Sequence, residues 1–360
     1  MTMRSSLTVL AAFAALVAPA SASLTAPLGA QQTARASYTE PSLSPDGREI
    51  AFASGGDIWT VSAAGGAARL LVSHTAHESR PLWSPDGARI AFVSNRTGNG
   101  DIYVLALRSG ALTRVTFDDA ADNLDAWSRD GAWLYFSSTR NDIAGMSDAW
   151  RVRSGGGTPM PVAADRYASE YWGAPSPDGA TLAISARGVA AGQWWRRGRS
   201  HLDESELQLV TIGATPAYRS LCDPCGGAKE MWPMWSPDGR TIFYVSDRNG
   251  TENLYSRPVA GGAPKALTTF SDGRLLWPQV AFDGSRIVFE RDFGIWALDL
   301  ASGAARPVDI ALQGVAAGPA TEHLTLTSGI ADMAVSPDGK KVAVVMRGEV
   351  FAAAAKEGGE

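Results

Sequence analysis

Apolar residues fall along this chain in short runs separated by turn-forming residues, and one such unit recurs from residue 38 onward. "SLSPDGREIAFAS" at 42 is followed by "LWSPDGARIAFVS" at 82, "AWSRDGAWLYFSS" at 126 and "APSPDGATLAISA" at 174. "MWSPDGRTIFYVS" at 234, "VAFDGSRIVFE" at 280 and "AVSPDGKKVAVVM" at 334 complete the series. In the parent tetrapeptide, Pro presets the backbone for the second turn position, Asp bonds its own backbone and Gly takes the left-handed conformation. The chain therefore reverses there. The run after each turn is rich in β-branched and aromatic residues and apolar enough for burial on both faces, which predicts a strand.

A second marker follows each of these strands: "GDIWTVS" at 56, "GDIYVLA" at 100, "SDAWRVR" at 147, "SELQLVT" at 205, "ENLYSRP" at 252, "GIWALDL" at 294 and "GEVFAAA" at 348. These are expected third strands. Small-residue turns then lead to fourth strands in "GGAARLLVS", "SGALTRVTF", "GGTPMPVAA", "GGAPKALTT" and "SGAARPVDI". Four antiparallel strands repeated at a period of about 40 to 50 residues predict an all-β fold, a β-propeller of four-stranded blades. Helical repeats of that period need amphipathic segments, which the density of Gly, Pro and β-branched residues excludes. Trp59, Trp83, Trp127, Trp150, Trp235 and Trp296 follow the repeat. They are expected to fill the gap between stacked blades.

The domain reading places a six-bladed ring over 36–312 and a linker with the first, truncated blade of a second propeller over 313–360. The interval between Asp283 and Asp338 widens, and the last unit stops after its third strand and Gly-Gly turn. A three-stranded blade would leave an unpaired edge, and the N-terminal side has little to lend, so the sequence reads as part of a longer polypeptide. A single seven-bladed ring is the alternative. Residues 1–30 are expected to be a signal peptide and spacer. Arg4 precedes an apolar run from Leu7 to Val17, then Ala20-Ser21-Ala22 gives an A-x-A pattern, with cleavage after Ala22 or Ala30. The run is short for a membrane span, although an uncleaved anchor is the rival reading. The expected location is periplasmic or secreted, with no membrane association after cleavage.

Hydrophobic content of 45% and charged content of 19% over 360 residues are those of a folded protein, and a net charge of −5 offers no footprint for nucleic acid. No Ser lies in a nucleophile elbow, so no catalytic residue is expected in this chain. His74, His77 and Glu78 in "HTAHE" have the chemistry for a metal, but not the helical spacing of a known zinc motif. They read as surface-loop residues. Cys222 and Cys225 in "CDPC" lack a following helix signal and a second ligand pair. A local disulfide or an idle pair fits better than redox or zinc chemistry. In "GQWWRRGRSHLDE", Trp194, Trp195, Arg196, Arg197 and Arg199 could grip a peptide carboxylate or dock a neighbouring domain or subunit. Alternatively, these arginines pair with Asp203, Glu204 and Glu206. No cofactor is implied.

The chain after its leader resembles the N-terminal part of tricorn-type serine peptidases. The stretches that carry the resemblance are "GGDIWTVSAAGGAARLLVSHTAHESRPLWSPDGARIAFVSNRTGNGDIYVL", "MWPMWSPDGRTIFYVSDRNGTENLYSRPVAGGAPKALTTF", "SPDGKKVAVVMRGEVFAAAAKEGG" and the Trp-plus-basic insertion "GQWWRRGRSHLDESELQLV". The resemblance implies a six-bladed propeller, a seven-bladed one, a PDZ-like domain and a C-terminal serine peptidase core, with none of the core's catalytic positions in this chain. It implies a scaffold that gates peptides or unfolded segments, contacts its own C-terminal domains and helps form a homo-oligomer. Two other readings are a stand-alone TolB-like periplasmic protein-binding propeller and the propeller of a prolyl-oligopeptidase-type hydrolase or amidohydrolase.

Overall fold

The computed structural model describes residues 36–188, 205–221, 228–312, 329–346 and 349–355. Every regular element in them is a strand. Six successive units each give four strands hydrogen-bonded in chain order, the blades of a propeller. Their innermost strands are Thr39–Leu43, Glu78–Trp83, Asp122–Trp127, Ala168–Pro175, Glu230–Trp235 and Leu276–Val280. The expected third strands all form, from Asp57–Ser62 in blade one to Gly294–Asp299 in blade six.

The turn after the inner strand is tied in the same way in every unit but blade six, where Ala281 stands in the serine's place. In blade one the Ser44 hydroxyl donates to Asp46 Oδ1 at 2.6 Å and accepts from the Glu49 N–H at 2.9 Å. Asp46 Oδ1 also takes the Arg48 N–H, and Gly47 sits at φ 69. The pattern recurs at Ser84, Ser128, Ser176, Ser236 and Ser336. Accepting these bonds, first that from serine, holds the turn aspartates below the usual carboxylate range.

The core lies between blades. Ile50, Ile90, Leu134, Leu182, Ile242 and Ile287 hold equivalent second-strand positions and are all fully buried. Among the described residues, the buried apolar side chains form six clusters, each shared by two successive blades. One of these joins blade six to blade one through Val288 and Ile295 against Ile50 and Phe52. The six expected packing tryptophans all lie in or against these clusters. The inner strands touch in succession, and that of blade six touches that of blade one.

The predicted outer strand over 302–310 is broken in two. Ala305–Pro307 stays on blade six, while Ile310–Leu312 crosses to blade one and pairs in parallel with Gly66–Ala68. The Val308 N–H makes the last bond to blade six, donating to the Ile295 carbonyl at 2.8 Å, and the chain leaves after it. Gly65 is required by the crossing: at φ 88, a Cβ there would meet the Asp309 carbonyl at 2.6 Å. The seventh unit forms a separate sheet, Ile330–Val335, Lys341–Met346 and Glu349–Ala354, hydrogen-bonded only within itself among the described residues. Its Ile330, Met333 and Phe351 side chains are exposed.

Candidate functional site

Each inner strand lines the axis and carries one irregularity. The register slips between Thr39 and Ser42, Ser79 and Leu82, Leu124 and Ala126, Tyr171 and Ala174, Met231 and Met234, and Leu276 and Gln279. In five of these bulges one residue stands in the left-handed region: Glu40, Arg80, Trp172, Trp232 and Trp277, at φ between 49 and 55. Each lies four residues before the Ser or Ala that opens the turn, and Pro or Gly follows it. Such a conformation costs a non-glycine residue about 1–3 kcal/mol, and a bulge re-aims the side chain it holds. All five line a single axial cavity, and blade three contributes Asp125.

These six residues, one per blade, are linked around the channel. The Arg80 N–H donates to Glu40 Oε2 at 2.6 Å. Arg80 Nη1 donates to the Leu124 carbonyl at 3.3 Å and lies 3.4 Å from Asp125 Oδ1. The other Asp125 oxygen accepts from the Ser137 hydroxyl at 2.7 Å and the Gly173 N–H at 3.2 Å. Next to Gly173, the Trp172 ring lies 4.7 Å from that of Trp232, and Trp232 lies 5.6 Å from Trp277. The Arg80 guanidinium sits 4.7 Å from the Trp277 ring centroid and closes the circle.

The cavity has a volume of about 250 Å³, and nine prolines line it. Proline has no N–H to offer, so this wall is poor in donors. Its polarity is concentrated in the Glu40–Arg80–Asp125 group. Burial pushes the Asp125 carboxyl up to about 6, against the pull of Arg80, Ser137 and Gly173. Burial also raises Glu40, against the opposing charge and N–H of Arg80. The arrangement can recognise and restrict what enters the axis. It offers no nucleophile with a neighbouring base.

A second set of acids lies six residues before the turn serine in four inner strands: Glu78, Asp122, Glu170 and Glu230. Arginines eighteen residues further on answer three of them. Arg96 lies 3.0 Å from Glu78, Arg140 lies 2.5 Å from Asp122, and Arg248 pairs with Glu230. In blade four that position is Gly188, and Glu170 has no ion-pair partner among the described residues. Burial pushes the Glu170 carboxyl up to about 7, helped by the nearby Asp148 charge and opposed by the Tyr218 hydroxyl. Asp148 itself is raised to about 6 by burial and by Asp142 and Asp165.

The residues singled out from sequence lie elsewhere. Trp194, Trp195, Arg196, Arg197, Arg199, Cys222 and Cys225 fall outside the described residues. His74 and His77 are exposed, whereas Glu78 turns into blade two to accept from Ser94 and Arg96. The three do not share a site. Among the described residues no group of three His, Cys, Asp or Glu side chains is placed to hold a metal. The axial circle was missed in sequence, although a Trp, Arg or Glu before Pro or Gly at a fixed distance from the turn was its signal.

The family described as the tricorn protease N-terminal beta propeller domain matches residues 35–304. The chain belongs to this tricorn propeller family. Tricorn protease homolog 1 of Streptomyces coelicolor is 26% identical over 275 residues, which is 75% of this chain and 24% of that protein. Tricorn protease homolog 2 of the same bacterium is 32% identical over 116 residues, 31% of this chain and 10% of that protein. The chain thus spans a quarter or less of the length of these tricorn relatives. The crystal structure of the tricorn protease superposes with a TM-score of 0.63 at 20% identity, over 88% of this chain and 30% of that one. A TolB protein from Agrobacterium tumefaciens shares the propeller fold, with a TM-score of 0.55 at 23% identity over 67% of this chain and 83% of that one.

Proposed function

We propose that this tricorn-type propeller is the non-catalytic N-terminal part of an exported serine peptidase, and that it controls the access of peptides or unfolded segments to a peptidase core. The observation that carries this reading is the axial circle, in which each of the six blades places one residue at the cavity and hydrogen bonds and ring contacts join them through Arg80. Family membership and the greater length of the relatives support a place within a larger protease assembly. In this reading the ring of residues 36–312 is complete with six blades. The separate seventh sheet opens a second propeller, and the chain's partners are its own C-terminal domains and further copies of itself. The leader-like pattern from Arg4 to Ala22 supports export to the periplasm or beyond.

The test uses the 360-residue chain alone and joined to a tricorn-type peptidase portion. Alone, it is expected to hydrolyse no unstructured peptide. In the joined protein, Trp232→Ala is expected to change kcat/KM for long unfolded peptides about tenfold, while a dipeptide-sized fluorogenic substrate changes less than about twofold. Equal effects on both substrates, or hydrolysis by the chain alone, would overturn the reading.

A further inference from the structure

Two of the six turns around the channel depart from proline. Pro45, Pro85, Pro177 and Pro237 hold the second turn position in blades one, two, four and five, whereas blade three has Arg129 and blade six has Phe282. Blades three and six stand opposite each other in the circuit of inner-strand contacts. The two exceptional side chains nevertheless meet. The Arg129 guanidinium lies 4.0 Å from the Phe282 ring centroid, and Nη2 donates to the Phe282 carbonyl at 3.3 Å. Both residues line the axial cavity. The contact therefore spans the mouth that the turns enclose.

This crossing differs in kind from the Glu40–Arg80–Asp125 group deeper in the channel. The Arg80 guanidinium is largely covered and Asp125 is buried, so that level is held by desolvated contacts. Arg129 and Phe282 are exposed. An exposed cation–π contact is weak and exchanges readily with water. Nothing in turn geometry requires these two residue types, since Pro serves at the other four positions.

We propose that Arg129 and Phe282 form an openable bar across the turn-side mouth of the channel, and that parting of this contact regulates entry to the cavity behind it. The proposal rests on the channel reading above and names the element that gates it. Ala174 lines the cavity and sits in its strand between the Trp172 level and the turn.

The test introduces a thiol by Ala174→Cys in the full chain, with Cys222→Ser and Cys225→Ser, and measures its rate of modification by a bulky methanethiosulfonate reagent. Arg129→Ala and Phe282→Ala are each expected to raise that rate about three- to fivefold, with an unchanged melting temperature, as loss of a contact of this strength shifts opening. Arg129→Ala and Phe282→Ala touch no core cluster, and Phe282→Leu provides a second variant at that site. A rise of less than about twofold in these variants overturns the bar, because entry would then not depend on the contact. The assay uses no peptide and no peptidase, so the bar can fail while the channel's role in peptide access stands, and the reverse also holds.

Discussion

Replacing Arg80 by alanine is expected to destabilise the ring by about 3 kcal/mol near neutral pH, the usual cost of stranding a buried charge. Arg80 touches three blades beyond its own, through Glu40, Leu124 with Asp125, and Trp277. The loss depends on pH with a definite sign. Asp125 has a folded pKa raised to about 6 from 3.8, and removing Arg80 takes away one of the groups that hold it down. A raised acid contributes most below its unfolded value and loses that contribution as pH rises through the folded one. The deficit of Arg80→Ala should therefore be largest at about pH 8 and shrink toward about pH 5. Adding Asp125→Asn should recover part of it at high pH. Urea unfolding at the two pH values measures both effects; a deficit that is equal at both, or that Asp125→Asn deepens, contradicts this account of the site.

The opposite sign is expected at Glu170. Its carboxyl is buried with no arginine paired to it among the described residues and is raised to about 7 from 4.5, so near pH 8 the folded protein holds a charge it would bind more weakly than water does. Glu170→Gln should stabilise the protein by about 2 kcal/mol at that pH, roughly 5 °C in melting temperature for a domain of this size. The gain should fall as pH drops from about 7 toward 4.5, because the wild-type acid then takes up its proton in the folded state too. The same change at Glu78, which Arg96 and Ser94 engage, should instead cost stability. Melting curves of the two variants across this range decide the matter: a Glu170→Gln protein less stable than the parent at high pH means that Glu170 has a cationic partner.

The blades were legible in sequence because their signals are local. Ser, Pro, Asp and Gly each do one job within a few residues, and the third-strand markers follow at constant spacing. The axial circle was not legible by the same logic. Period-two alternation assigns faces along a strand, but a bulge inserts a residue and reverses the assignment beyond it. Trp172, Trp232 and Trp277, which line the cavity, are therefore not singled out by the repeat. The crossing of Ile310–Leu312 was hidden for another reason. Its three residues continue the apolar run of the sixth unit, and only the tertiary structure shows that they leave it for blade one. The exceptional acid of blade four was within reach: "SNR", "STR" and "SDR" close the second strands of blades two, three and five, where blade four has "ARG" with glycine in the arginine's place.

The central claim is that residues 36–312 close a ring on their own, sealed by Ile310–Leu312 against Gly66–Ala68. Thermal unfolding of a chain covering only those residues tests it most directly. The account predicts a single cooperative transition within about 2 °C of that of the full chain. A midpoint lowered by more than about 10 °C, or the loss of cooperativity, would show that the seventh sheet is part of the ring and would contradict it.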